Sequence, residues 1–549
     1  MCRDPLGWPV EDSSCGDAHT PIIWRAPIEK RHMSEPAGEL QLPNDPDVTS
    51  HRRSAESSSK QAFEQSGTSA GLAPVAANLS PPLVVDLDGT LVETDLLIES
   101  LATLLRQQPR ALFALPGWLL KGRAHLKHEV ARRVQLDPTL LPYRTSLLDY
   151  LRSEHGQGRA IVLATASDER FANQIADHLK LFDLVLASDG TTNLSGKRKG
   201  SRLVELFGAR GFDYVGNESR DLAVWSAARK AIVVSPNPRL LRKVAKVAEY
   251  ESRFADRAAS LREYLRALRP EHWLKNILVF VPVLAAHLLV APGLLARTAI
   301  AFVAFCCFAS SGYLINDVLD LQADRRHPQK RLRPFASGRL PLTYALTMAP
   351  ALTALGCLLA GLLSWLSLGI LILYFTLTLA YSLGLKRVAL LDILVLASLY
   401  TLRIIGGSAA TALWPSVWLL GFSMFLFTSL AFIKRYAELV VMRGIEGDHA
   451  TARGYELGDA ELLASKGTAS GYAAVLVLAL YIASGAVKAR YSRHELIWFV
   501  CPLLLYWLGY LWLIAHRGKM HHDPLVFALR DHTSRILILL MLGTVMLAI

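Results

Sequence analysis

After about residue 272 the sequence becomes a succession of long apolar stretches separated by short basic loops, and few folds tolerate that pattern. Nine stretches are read, at roughly 274–290, 297–316, 341–362, 365–384, 389–411, 415–433, 468–487, 495–515 and 534–549. A helix needs about 20 residues to cross the ~30 Å hydrocarbon layer, and in lipid the backbone must satisfy its own hydrogen bonds. The expectation is an all-α bundle of nine membrane-spanning helices over 269–549. The loops carrying Arg325 to Arg339, Lys386 and Arg387, Lys434 to Lys466 and Arg517 to Arg535 fall on one side of such a bundle, against Lys488, Arg490 and Arg493 on the other. The positive-inside bias then places the first side, and the chain's N-terminal half, in the cytoplasm of an inner (plasma) membrane protein.

The apolar excess is confined to the second half. The 549 residues exceed one domain, and a mean hydropathy of +0.28 reflects a soluble first half joined to a very apolar second. Residues 1–80, rich in Pro, Ser, Glu, Gly and Ala, read as a disordered tail without a signal peptide, within which Met33 is an alternative start. A soluble head follows over 81–237, then a polar, helical linker over 238–268. The net charge of +12 sits largely in loops between apolar stretches, which points to membrane orientation and phosphate binding and away from nucleic acid. Cys2 and Cys15 lie in the tail, the other four cysteines lie in apolar stretches, and no CxxC pair occurs, so neither a disulfide framework nor a zinc site is expected.

The segment "LINDVLDLQADRRHPQKRLRPFASG" carries chemistry at the end of the second apolar stretch. Asn316, Asp320 and Asp324 recur at i, i+4 and i+8 with Asp317 beside them, so a continuing helix aims their oxygens at one small volume. Oxygen donors of this kind suit Mg²⁺, which takes a few carboxylates and fills its shell with substrate phosphate oxygens. The following Arg325, Arg326, Lys330, Arg331, Arg333 and Arg339 attract the same phosphates. The combination predicts a diphosphate leaving group; the plain alternative is a helix end with solvated charges.

In the head, "LVVDLDGTLVETD" is a short β-branched run ending in Asp86 and Asp88, which strand alternation puts on one side at the strand's C-terminal end. "RAIVLATASD" supplies a second buried strand with Thr165, "NLSGKRKGSRLVELFG" a helix preceded by Lys199, and "FDYVGNESRDLAVW" a strand followed by Asn217 and Asp221. In this order the four segments resemble the motifs of the haloacid dehalogenase (HAD) phosphatase superfamily, whose core is an α/β Rossmann-like domain. The resemblance implies Asp86 as nucleophile, Asp88 as general acid/base, Thr165 and Lys199 as phosphate ligands, and Asp86, Asp88, Asp221 and Asn217 around Mg²⁺. Asn217 departs from that pattern, since an acid is usual there. The apolar, basic-faced stretches of about 93–145 resemble the helical cap that some members insert.

Charges inside the apolar stretches are costly and usually face a cavity or a partner. Asp392 and Arg403, eleven residues apart in one stretch, return to nearly the same face, as site residues or as an ion pair. Lys275 and Asn276 stand where the first stretch enters the bilayer, as phosphate ligands or, for Lys275, as a snorkelling interfacial lysine. Lys386 lies in a basic loop on the aspartates' side, "HHDPLVFALRDHTSR" offers Asp523, Arg530 and Asp531, and His521 and His522 read as solvated. Nine helices with NDxxDxxxD after the second resemble the UbiA prenyltransferase family over about 262–549. "LRPEHWLKNILVFVPVLAAH", "DRRHPQKRLRPFASG" and "YSLGLKRVALLDILVLASLYTLRIIGG" resemble its decaprenyl-phosphate phosphoribosyltransferase-like branch. Where aromatic prenyltransferases carry a second Asp-rich motif, this chain has Lys434, Arg435 and Glu438.

The resemblance implies a polyprenyl lipid substrate, a diphosphate donor neutralised by Mg²⁺ with Lys386, Lys434 or Arg435, and a bilayer around the chain. Two substrate sets fit. Either phosphoribosyl pyrophosphate donates to polyprenyl phosphate, with the head removing the sugar phosphate afterwards, or a prenyl diphosphate donates to an aromatic or other small acceptor. A lipid-binding or transport protein with an inactive head is the non-enzymatic alternative.

Overall fold

The computed structural model describes residues 80–254, 259–288, 291–443, 454–488, 491–520 and 523–549. The expected tail, with Cys2, Cys15 and Met33, and the pair His521 and His522 lie outside the described residues. The described part forms a parallel-sheet head on a helical bundle.

The head is built on six parallel strands: β1 (Leu83–Val85), β2 (Ile161–Asp168), β3 (Leu184–Ser188), β4 (Asp213–Gly216), β5 (Lys230–Val234) and β6 (Glu249–Phe254). Their order is β3-β2-β1-β4-β5-β6. Strands β1, β2 and β4 are buried on both faces, as a parallel sheet covered by helices requires, with apolar runs in β1 and the first half of β2. Separate apolar clusters fill the two faces, one around Leu83, Val85, Leu163 and Ile232, the other around Val84, Val162, Tyr214 and Trp225. The order reverses between β1 and β4, and a doubly wound sheet opens its ligand crevice at that point, beyond the strands' C-terminal ends. The stretch 238–268, expected as a helical linker, contains helices Pro238–Val244 and Leu261–Ala267, and between them the unexpected β6, which pairs with β5 along Lys230–Val234 at the edge of the sheet. Its polar composition reflects an exposed edge strand.

Three head helices matter below: α1 (Leu96–Gln107), α2 (Leu115–Leu120) and α3 (Arg123–Ala131). Asp95 starts α1 by accepting the Ile98 N–H at 3.0 Å. Residues 93–145, expected as a cap, hold all three.

The bundle comprises α4 (Pro292–Leu319), the short α5 (Leu321–Arg326), α6 (Leu342–Leu363), α7 (Trp365–Leu383), α8 (Leu391–Thr411), α9 (Val417–Arg443), α10 (Ala460–Ala483), α11 (Val500–His516), α12 (Pro524–Arg530) and α13 (His532–Ala548). Seven helices among the described residues are long and apolar enough to cross a membrane, and His532–Ala548 is a shorter apolar helix. The expected count of nine is not confirmed among the described residues. The segment taken as the first span is a 3-10 run, Pro270–Phe280, followed by the brief helix Val281–Ala285. Pro282 lacks an N–H, so it opens a new helix where a continuous one would need a donor. Outward leucines such as Leu346, Leu358 and Leu476 are exposed, and Trp365 and Trp414 lie exposed at helix ends, as an aromatic belt at a lipid interface would.

Helix α1 of the head packs on the bundle. Ala102 and Ile98 join Leu314, Val318, Leu321, Phe335 and Leu340 in one apolar cluster. Beside it Glu99 and Arg325 form a buried ion pair at 2.6 Å.

Candidate functional site

The head presents one constellation at the β1/β4 reversal. Asp86 follows β1 directly and accepts from Lys199 Nζ at 2.6 Å; Lys199, expected just before its helix, sits in the first turn of Lys197–Phe207. Lys199 Nζ also lies 3.1 Å from Tyr214 Oη, and that hydroxyl donates to Asp221 Oδ1 at 2.9 Å. Asp221 Oδ2 accepts the N–H groups of Asn217 and Glu218 at 3.1 and 3.0 Å. Burial opposes the charge on Lys199, but Asp86 and Asp221 outweigh it and hold the ammonium above its ordinary value.

Asp88 occupies a different microenvironment from its neighbour two residues earlier. Ser167 Oγ donates to Asp88 Oδ2 at 2.6 Å and the Leu96 N–H, in the first turn of α1, donates to Oδ1 at 2.8 Å. Burial, with Asp95 adding, pushes Asp88 up to about 6 despite those donors, and burial with Asp86 pushes Asp221 up to about 6. Asp88 is thus poised to carry and release a proton near neutral pH. Thr165 is fully buried, its Oγ1 accepting the Ser167 N–H at 3.0 Å. Lys127 reaches in from α3 to the Ala166 carbonyl at 2.5 Å and Asn193 Oδ1 at 3.0 Å. Asn217 Oδ1 is buried without a hydrogen-bond partner among the described residues, next to the Asp86–Asp88 turn, where a Cβ on Gly89 would strike the same carboxamide. A buried oxygen of this kind, close to carboxylates, fits a hard cation.

In the bundle, α4 ends at Leu319 and Asp320 starts α5, so the helix bends inside the expected metal motif. The Asp320 N–H still donates to the Asn316 carbonyl at 2.8 Å, and the Asp324 N–H to Asp320 at 2.8 Å. The carboxylates diverge into two sets. Asp317 is paired with Arg269 and lies 3.5 Å from Arg333 Nη1, which binds Asp324 Oδ2 at 2.5 Å. Asp320 is held by Lys386 Nζ at 2.9 and 3.0 Å and by Arg106 of the head at 3.3 Å. Asn316 is half-buried one turn earlier, and Arg331 is exposed while Arg333 makes the contact.

A second cluster centres on Asp523, which accepts from Lys275 Nζ at 2.7 Å, Lys434 Nζ at 3.1 Å and Tyr400 Oη at 2.8 Å. Burial opposes its ionisation, but the two lysines hold its carboxyl well below the usual range. Arg403 lies deeper. It donates to Asn276 Oδ1 at 2.8 Å, Tyr374 Oη at 2.8 Å and the Leu399 carbonyl, and stacks over Tyr374 and Tyr400. Asp392 and Arg403 are not paired with each other: Asp392 binds Arg435 and Tyr455. Eleven residues restore the helix face but advance it by about 16 Å along the axis, beyond the reach of an ion pair. Arg435 also donates to Tyr381 Oη at 2.6 Å and Glu438 at 2.7 Å.

Among the described residues no three His, Cys, Asp or Glu side chains are grouped closely enough to hold a metal by themselves. The donors are nonetheless all oxygen, a set that suits Mg²⁺ sharing its shell with phosphate oxygens.

The model of the UbiA prenyltransferase family matches residues 279–546. An uncharacterized protein, y4nM, of Sinorhizobium fredii is 37% identical over 457 residues, 82% of this chain and 88% of that protein. The nodulation protein NoeC of Azorhizobium caulinodans is 39% identical over 289 residues, 52% of this chain and 92% of that protein. The chain belongs to the UbiA prenyltransferase family. Decaprenyl-phosphate phosphoribosyltransferase of Mycobacterium tuberculosis is 32% identical over 289 residues, 51% of this chain and 92% of that protein. The y4nM match is too long for the UbiA region alone and extends into the head. This UbiA chain is an integral membrane transferase with a parallel-sheet domain attached.

Sequence reasoning missed Arg269, Arg106, Tyr214, Ser167 and Lys127 as parts of these sites. Ser167 was legible, lying two residues beyond Thr165 on the same strand face. Arg269 and Arg106 carried no local signal, because their partners lie far away in sequence.

Proposed function

We propose that the UbiA half transfers a phosphoribosyl group from phosphoribosyl pyrophosphate to polyprenyl phosphate, and that the head then removes the phosphate from the transferred sugar. The observation that carries the first step is the cationic character of the polar centre. Lys434 and Lys275 meet at Asp523, Arg435 lies at Asp392, Lys386 at Asp320 and Arg403 at Asn276, more cations than a prenyl diphosphate alone would need. A phosphosugar donor brings one phosphate more than a prenyl diphosphate does. The identity to relatives named decaprenyl-phosphate phosphoribosyltransferase supports the same choice.

In this reading the C1–oxygen bond to pyrophosphate breaks, the electron pair leaves with pyrophosphate, and an oxygen of polyprenyl phosphate closes on the sugar carbon. Asn316, Asp320 and Asp324, with Asp317 beside them, would hold Mg²⁺, which when bound neutralises the donor's diphosphate. Lys386 and Arg333, now paired with those carboxylates, are placed to turn to the anionic leaving group. Lys275 and Lys434 bind the acceptor phosphate or the sugar phosphate, drawing on the charge they now share with Asp523.

In the head, the Asp86 carboxylate attacks phosphorus, the bond to the sugar oxygen breaks, and Asp88 gives that oxygen its proton. Water then releases inorganic phosphate from Asp86, with Asp88 taking a proton back. Lys199 and Thr165 hold the phosphoryl oxygens, and Asp86, Asp88, Asn217 and Asp221 would hold Mg²⁺, which supplies further charge neutralisation.

The test offers membranes containing the protein labelled phosphoribosyl pyrophosphate with polyprenyl phosphate, and separately a labelled prenyl diphosphate with 4-hydroxybenzoate. Lipid-soluble label in the first pair is expected. Label in the second pair alone would replace this reading with aromatic prenyl transfer.

A further inference from the structure

We propose that the head segment Pro109–Leu120 inserts into the lipid leaflet beside the bundle, so that the bilayer as well as the protein holds the head. The segment "PRALFALPGWLL" forms a 3-10 helix, Pro109–Phe113, and then α2, and neither contains a fully buried residue. Its inner side is anchored. Ala111, Leu115 and Trp118, at i, i+4 and i+7, pack on the head's core, and the Arg133 guanidinium stacks 4.6 Å over the Trp118 ring.

Among the described residues nothing covers its outer side. Phe113 is 86% and Leu120 90% exposed, with Leu112 and Leu119 more than half exposed beside them. Scattered exposed leucines are ordinary on a soluble surface, but four large apolar side chains on one short segment mark an interaction site.

Charge and position identify the occupant as a bilayer. Arg106, Arg110, Lys121 and Arg123 flank the apolar residues, and no Asp or Glu occurs between Ser100 and His128. Apolar side chains rimmed by cations suit an interfacial segment on anionic headgroups. The segment begins three residues after Arg106, which binds Asp320 at the end of the membrane helix α4. The 3-10 helix rises about 10 Å and α2 about 9 Å, so even Leu120 stays within roughly 20 Å of the start of the segment. A chain with seven helices of spanning length brings a bilayer to the end of α4.

The turn at Gly122, with φ of +111°, then leads into α3, whose Lys127 reaches the Asp88 side of the head site. Insertion of Phe113 and Leu120 therefore sets the mouth of that site at the membrane surface. Its use for a lipid-borne phosphate rests on the phosphatase reading above; the lipid contact does not.

The experiment places the photoreactive residue benzoylphenylalanine at position 113, at 120, or at Leu206, an exposed apolar residue on helix Lys197–Phe207. The full-length protein is irradiated in nanodiscs of phosphatidylethanolamine and phosphatidylglycerol, and adducts are read by mass spectrometry. Lipid adducts at 113 and 120 at least ten times those at 206 are expected. Yields equal to that at 206, or crosslinks to a second copy of the chain, would overturn the proposal. Because the readout is lipid contact, inactivity in the transfer assay leaves the result unaffected, and the two failures are distinguishable.

Discussion

Replacing Arg325 with Met should loosen the head from the bundle more than any other single change at their contact. Arg325 Nη1 lies 2.6 Å from Glu99 Oε1, with side-chain exposures of 4% and 1%, and its Nε also donates to the Ala336 carbonyl at 3.0 Å. Removing one partner of such a pair leaves an uncompensated buried charge, which costs about 3–5 kcal/mol. The cost falls on the docked state, since an undocked Glu99 is free to hydrate. Helix α1 should then lose amide-exchange protection by roughly a hundred- to a few-thousand-fold at neutral pH if its opening follows undocking. Burial already raises the Glu99 carboxyl, with Arg325 opposing; without Arg325 the rise is larger. A carboxyl whose pKa is raised in the docked state contributes stability that is fully present below its ordinary value of 4.5 and is lost as pH rises through the docked pKa. Protection in Arg325→Met should therefore recover as pH falls, whereas the parent should respond less. Replacing both partners, as Glu99→Leu with Arg325→Met, should restore most of the protection, because an apolar pair of similar volume is often neutral. Hydrogen exchange of the full-length protein in nanodiscs gives all three values. Unchanged protection of α1 in Arg325→Met would show that the pair does not hold the head.

The remaining expectations concern chemistry. Asp320→Ala should lower transfer at least a hundredfold while helicity by circular dichroism stays at the parental level; parental turnover would remove Asp320 from the metal and diphosphate site. Arg106→Ala, which deletes the head's cation on Asp320, should raise the apparent donor KM about tenfold, while Asp86→Asn leaves that KM unchanged; equal KM values would make the contact purely structural. If Asp88 is the acid, single-turnover release of the dephosphorylated lipid by the head should be flat below pH about 6, where burial sets its carboxyl, and should fall tenfold per unit above it. Asp88→Asn should abolish that limb and slow release by about 10²–10⁴-fold. Asp86→Asn should accumulate a phosphorylated lipid-linked sugar that the parent converts, and identical lipid products from the two would separate the head from the transfer reaction.

Much of the molecule was legible in the chain because its signals are local. A strand buried on both faces leaves a local apolar signal, clearest in β1 and β2, so these strands, β4 and the residues at their ends were found from sequence, as were seven of the membrane helices. Local patterns also misled. The apolar run over 274–290 is long enough to span, but Pro282 and a 3-10 backbone divide it. The polar stretch after 238 looked like a linker because an edge strand such as β6 needs little apolar content.

Periodicity gives the face of a helix, not its partner. It brought Asp392 and Arg403 to one side of α8, and the fold sent Asp392 to Arg435 on α9 and Arg403 to Asn276. It set Asn316, Asp320 and Asp324 in a row, and the bend at Asp320 divided the carboxylates between Arg333 and Lys386. Pairings across long separations, such as Glu99 with Arg325 at 226 residues, leave no mark in a repeat pattern. The one-dimensional order of apolar and polar residues determined which elements form and which side chains can do chemistry. Which charge neutralises which, and that the head's α1 bears on the aspartates of the bundle, was decided only when packing brought distant buried charges to the one arrangement that leaves none of them alone in a low-dielectric interior.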